Sequence, residues 1–110
     1  MKFMRRLETA YATSASQQTA QHLATLVKNA RIARGWSQLN LAERARISPA
    51  TMSRIEQGNL GASLGTWLAV FERLGLLAKF AQLRDPASEA ILDSTRAKRP
   101  LRSNTPDMDF

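Results

Sequence analysis

Apolar residues recur at helical spacing through most of the chain, and a residue able to cap a helix stands ahead of nearly every run. The first run predicts a helix from near Ser14 or Ser16 to about Arg34, with Leu23, Leu26, Val27, Ala30 and Ala33 as its buried stripe. Ser14 and Gln17 have the spacing of a capping box, and Gly35 suits the left-handed residue that ends many helices. A second helix runs from a Ser37 cap through Gln38 to about Ala45, with Trp36 placed to fold back as a hydrophobic staple. A third starts at a Ser48 cap with Pro49 in the first helical position, where a missing N–H is harmless, and stops at Gly58. A fourth runs from Ser63 to about Leu74 with Leu64, Trp67, Leu68, Phe71 and Leu74 on its apolar face, and Gly75 stops it. Leu76 to about Leu83 reads as a short fifth helix, with a strand from Leu77 to Leu83 as the alternative, and Asp85 and Pro86 end it. Between Ser88 and Ser94 the pattern supports one or two weak helical turns around Ile91 and Leu92. The residues from Thr95 to Phe110 have no burial pattern and are expected to be disordered.

The expected fold class is therefore all-α: a compact five-helix domain over residues 16–84, an N-terminal arm over 1–15, and a basic, disordered C-terminal tail over 85–110. Phe3, Leu7 and Tyr11 in the arm are interleaved with Lys2, Arg5 and Arg6, so either packing on the body or tracking of phosphate fits them. The stretch from Gln38 to Gln57 is the organising element. Leu41, Ala45, Ile47, Met52 and Ile55 face inward across a turn formed by Arg46 and Ile47, which is the pattern of a helix-turn-helix. Its second helix is of the kind that enters a DNA major groove.

Charge strengthens that reading. The 110 residues carry 16 Lys and Arg against 9 Asp and Glu, a formal charge of +7 that favours a polyanionic partner. There is no cysteine, so disulfides and thiolate metal sites are excluded. No apolar run has the roughly 20 residues of a membrane span, and the opening MKFMRRLETAYATSA lacks the continuous apolar region of a secretory signal, so a cytoplasmic location is expected. His22 is the only histidine and has no ligand or triad partner at useful spacing, and no Gly-rich phosphate loop occurs, so neither an enzyme nor a cofactor is expected.

The unpaired N–H groups at the start of the second helix, beside Gln38 and Ser37, suit a DNA phosphate. At the start of the third helix, Ser48, Pro49, Ala50, Thr51, Ser53 and Arg54 are candidates for contacts to base edges or flanking phosphates. Arg54 offers a planar fork that matches the two acceptors of guanine, and phosphate is its other possible target. Few strong base-reading groups are present, so backbone contacts and DNA shape are expected to share the specificity.

From Leu23 to about Leu74 the sequence resembles the Cro/CI-type (XRE) helix-turn-helix family, of lambda repressor-like fold. RIARGWSQLNLA and ISPATMSRIEQG carry the likeness. The resemblance implies that Gln38 binds the phosphate backbone and that Ser48, Pro49, Ala50, Ser53 and Arg54 make most groove contacts. It also implies a structural pair between Arg31 and Glu56. Two positions depart from the family pattern. Arg46 stands where glycine is common, at a cost of roughly 1 kcal/mol or more if φ is positive, and Asn40 stands where an acidic residue is common.

LGLLAKFAQL, with a proline stop and a basic tail after it, is similar to HipB-like antitoxins, which are dimeric autorepressors that bind HipA-like kinase toxins. That likeness implies a type II toxin–antitoxin role, and a stand-alone or phage-type XRE regulator is the alternative. Leu76, Leu77, Phe80 and Leu83 exceed what one small core needs and are expected to contact a second subunit or partner, unless the monomer buries them. Asp107 to Phe110 form an acidic, apolar tip that either docks in a partner or frays.

Overall fold

A helix start leaves backbone N–H groups without partners, and this chain takes them with side-chain oxygens. The computed structural model describes residues 11–98, which contain six helices and no strand: α1 (Ser14–Ala33), α2 (Gln38–Ala45), α3 (Pro49–Glu56), α4 (Leu64–Arg73), α5 (Leu77–Ala81) and α6 (Pro86–Lys98). The expectations for Lys2, Phe3, Arg5, Arg6 and Leu7, and for the Asp107–Phe110 tip, lie outside the described residues. Ser37, Ser48 and Ser63 sit in extended backbone as caps of α2, α3 and α4, accepting from the N–H groups of Asn40, Thr51 and Thr66. At α1 the cap is Thr13, whose Oγ1 accepts from Ser16 N at 3.0 Å. Ser14 thereby becomes the first helical residue, and the expected Ser14–Gln17 box does not form.

The core lies where α1 crosses α3 and α2 packs on both α3 and α4. Val27, Leu41, Ala42, Met52, Ile55, Val70, Phe71 and Leu74 are buried there, with Leu23, Leu26, Ala30, Trp36, Ile47 and Trp67 packed around them. All five inward positions expected of the helix-turn-helix contribute. Two other expectations need correction. Ala33 is exposed, because the stripe of α1 runs through Ala20, Ala24 and Val27 and continues to Arg31, which faces nearly opposite to Ala33 on a helix. Leu64 is 71% exposed on the lining of an open groove, and Val70, off the expected face, is buried.

The last helices also differ from expectation. α5 is a single five-residue piece, shorter than Leu76 to Leu83, and the strand alternative does not occur. Phe80 meets the edge of Phe71 at 4.7 Å between ring centroids and anchors α5 to α4. The expected five helices become six because Pro86 starts a 13-residue helix where only one or two turns were foreseen. Asp85 secures its start: the carboxylate accepts from Ala87 N at 3.2 Å and the carbonyl from Glu89 N at 3.0 Å. Local capping and good helix formers build α6, without an apolar stripe to announce it.

Two long-range bonds brace α1, one at its close and one within its first half. Arg34 donates to the carbonyls of Ala30 at 2.6 Å and Leu74 at 2.7 Å, joining the close of α1 to the close of α4. Gln21 donates to the carbonyl of Gln57 at 2.8 Å, just past the end of α3. Beside it, Gly58 has φ of +74°, and a Cβ there would lie 2.6 Å from Gln21 Nε2. Gly35 and Gly75 also have positive φ but open space around them. In urea unfolding, Gly58→Ala is therefore expected to cost about 2 to 3 kcal/mol, combining the left-handed penalty with a lost hydrogen bond. Gly35→Ala and Gly75→Ala are expected to cost only about 1 kcal/mol each.

Candidate nucleic-acid interface

The helix-turn-helix is held from behind by a largely buried ion pair. Arg31 grips Glu56 with two donors, Nε to Oε2 at 2.6 Å and Nη2 to Oε1 at 3.0 Å, and its Nη1 donates to the Trp36 carbonyl at 2.9 Å. The two side chains are only 12% and 5% exposed. The hydrogen bond to Glu56, aided by the carboxylate charge, pushes the Arg31 pKa above arginine's usual value against the opposing effect of burial. Gln38 joins the pair, donating from Nε2 to Glu56 Oε1 at 3.2 Å. The Glu56 carboxylate thus fixes the end of α3 to α1 and to the start of α2, and Arg31 extends the link to the α1–α2 loop.

The start of α2 is a reciprocal capping box. Ser37 Oγ accepts from Asn40 N at 2.9 Å, and Asn40 Oδ1 accepts from Ser37 N at 3.2 Å. Asn40, the residue standing where the resembled family often has an acid, is thus a cap. Ser37 Oγ keeps its own O–H for an outside acceptor, and Gln38 N–H lies at the open start of the helix. Gln38 is half-buried, so its side chain serves the scaffold as well as the surface.

Arg46 caps the end of α2 at φ 60°, ψ 41°, the only non-glycine residue with positive φ among those described. The turn closes through its N–H and through Ile47 N, which donates to Ala42 O at 3.0 Å. Arg46 is exposed. Arg44, in the last turn of α2, lies 4.2 Å from the centre of the Trp36 ring, a cation–π contact that holds a second arginine at the surface. Trp36 itself packs on the core as expected of a staple.

Along α3 the candidate residues divide into two rows. Ser48, Thr51 and Arg54 are linked: Ser48 Oγ accepts from Thr51 N at 3.0 Å and donates to Thr51 Oγ1 at 2.8 Å, and Arg54 Nη2 donates to that oxygen at 3.4 Å. Pro49 and Ala50 are exposed at the first turn, and Ser53 lies behind them, half-buried and accepting from Gln57 Nε2 at 3.1 Å. Arg44 and Gln57 were not anticipated. Gln57 was discoverable by its i,i+4 spacing from Ser53; Arg44 became visible only when the loop carried Trp36 beneath it.

The four residues expected at a subunit contact separate. Leu76 and Leu77 are half-buried, with Leu76 packed on the core, whereas Phe80 and Leu83 are exposed, the latter at 81%. His22 is exposed on α1, and among the described residues no group of three His, Asp or Glu is placed to hold a metal ion. No described helix is long and apolar enough to cross a membrane.

A family model described as a helix-turn-helix domain matches residues 22–85. No curated protein and no solved structure matches the chain.

Removing one partner of the buried pair strands a charge. Glu56→Ala is expected to destabilise the fold by about 3 to 5 kcal/mol in urea unfolding. The double change Arg31→Met with Glu56→Leu should recover most of that loss, because it removes both charges while keeping comparable volume.

Proposed function

The chain belongs to the helix-turn-helix domain family, of the Cro/CI-like kind, and from that premise we propose that it is a homodimeric, sequence-specific transcriptional repressor acting in the cytoplasm. The observation that carries this reading is the outer face of α3. On it Ser48, Pro49, Ala50 and Gln57 are exposed and Thr51, Ser53 and Arg54 half-buried, while Met52 and Ile55 on its inner side are buried and Glu56 is locked to Arg31. A short helix presented so rigidly, with arginines at its flanks and a chain charge of +7, fits insertion into a major groove.

The placement of the side chains supports the following roles. The open N–H groups at the start of α2, with Ser37 and Gln38, take one phosphate, and Arg44 and Arg46, at the far end of that helix, supply cations for neighbouring phosphates. Arg54 reads guanine, Pro49 and Ala50 supply apolar contact to a thymine methyl, and Ser48, Thr51, Ser53 and Gln57 hydrogen-bond to base edges or phosphates. One such helix covers a small footprint, so two protomers bind half-sites about one helical turn apart. A finer reading, an autoregulating antitoxin that neutralises a HipA-like kinase, rests on the resemblance of residues 74–83 and the basic tail alone. Co-purification of a kinase-like protein from native cells tests it.

Band-shift titration against the chain's own promoter and random DNA tests the repressor reading; equal affinity for both would refute it. Arg54→Ala is expected to weaken promoter binding by about 1 to 3 kcal/mol while leaving random DNA nearly unaffected. Gln38→Ala should weaken both DNAs alike, and should also lower stability through the lost bond to Glu56. Arg46→Gly should separate two effects. Relief of the left-handed strain is expected to raise stability by up to about 1 kcal/mol, while loss of the cation lowers DNA affinity and flattens its salt dependence.

A further inference from the structure

Two surfaces remain without partners among the described residues, one an apolar groove and the other a helix that exposes two large apolar side chains, and both belong to the same chain. The first is an open groove of about 430 Å³ between the N-terminal half of α1 and α4, lined chiefly by Leu23, Leu60, Leu64, Trp67, Phe71 and Phe80. The second is α6, in which every residue from Pro86 to Arg96 is exposed, including Ile91 and Leu92. Building on the homodimer reading above, we propose that these surfaces pair between two copies: α6 of one protomer seats in the α1–α4 groove of its partner, and the exchange is reciprocal.

The groove selects for such an occupant. Of its wall hydroxyls, Thr19 Oγ1 donates to Ala15 O at 2.9 Å and Ser16 Oγ accepts from Thr13 Oγ1 at 3.2 Å. The rest of the lining is chiefly apolar, so a polar small molecule finds few partners there, whereas aliphatic side chains need none. The wall is also free of charge. From Ser14 to Val27 there is no Asp, Glu, Lys or Arg, although 23% of the chain is charged and most of these residues are exposed. Depletion of charge with aromatic residues at the centre is the composition of an interface core.

On its side, α6 requires a partner. A 13-residue helix exposed from Pro86 to Arg96 is marginal in water. A bonded elbow shapes its start: Arg84 donates to the carbonyls of Ala81 at 3.2 Å and Leu83 at 3.1 Å and pairs with Glu89 at 3.4 Å, while Asp85 caps the helix. The small residues Ala87 and Ala90 beside Ile91 allow close approach in a helix-in-groove contact. Because both halves of the contact lie on one chain, a twofold axis closes the assembly at two copies and forms the contact twice. The groove shares no residue with the outer face of α3, so a dimer built this way keeps that face open to DNA.

Disulfide trapping tests the pairing cleanly, because the full chain has no cysteine of its own. Ile91→Cys and Leu64→Cys replace residues that are 65% and 71% exposed, so both variants should fold, as circular dichroism will verify. Under mild oxidation an equal mixture of the two is expected to yield a cross-linked heterodimer, while neither variant alone does. In sedimentation, Ile91→Ser with Leu92→Ser should weaken dimerisation at least tenfold.

A dimer that gives no cross-link in the mixture and is unaffected by the serine changes would overturn the groove assignment while leaving the homodimer intact. Cross-linking of Ile91→Cys with itself would overturn it in favour of paired α6 helices. A doubly substituted chain that cross-links only within itself would place α6 in its own groove and overturn the exchange. A wild-type chain that stays monomeric, on and off its promoter, would overturn the homodimer as well.

Discussion

The bond between Arg31 and Glu56 fixes what the rest of the domain presents. α3 has only eight residues, too few to be stable as an isolated helix, and its outer side must stay clear of the body to meet a ligand. Its orientation therefore has to come from its inner side and its end. Met52 and Ile55 anchor it in the core, but apolar packing is non-directional and permits rotation or sliding. The bidentate fork is directional. The Glu56 carboxylate sets the end of α3 against α1 and Gln38, while the Arg31 guanidinium also holds the Trp36 carbonyl. Burying two charges gains little net stability, so orientation is the better account of the pair.

Gln38 shows how closely support and surface are joined. At the first position of α2 its backbone N–H belongs to the anion-ready helix start, while its carboxamide reaches inward to Glu56. An anion drawn to the start of α2 therefore lies one residue from the bond that holds α3. The candidate reading row is likewise already bonded within itself, through Ser48, Thr51 and Arg54. Any outside contact must exchange these bonds for new ones, which limits the gain from each and places more weight on charge and shape.

α1 is divided along its length by chemistry. Its C-terminal part carries the arginines that brace the domain, with Arg31 on Glu56 and Arg34 on Leu74. Its N-terminal half has no charge and forms one wall of the apolar groove. One helix thus supports the α3 face at one end and borders an uncovered surface at the other.

Local chemistry made much of this legible in the sequence. Ser37, Ser48 and Ser63 cap helices because a hydroxyl in extended backbone reaches the N3 amide whatever lies beyond, and Gly35, Gly58 and Gly75 take positive φ at the helix ends. The inward positions from Leu41 to Ile55 came from helical spacing, and the Arg31–Glu56 pair from resemblance. Contacts that depend on where separate elements come to rest were not legible. Ala33 and Leu64 have apolar side chains at helical spacing, yet only the packing of neighbours decides that they stay exposed. The Arg44–Trp36 contact, the Gln21 and Arg34 braces, the inward turn of Gln38 and the groove beside α1 all join residues through the tertiary fold. Hydrogen-bonded caps and turns act over three or four residues and are written in order along the chain, whereas burial and the pairing of distant side chains exist only once the helices have been set against one another.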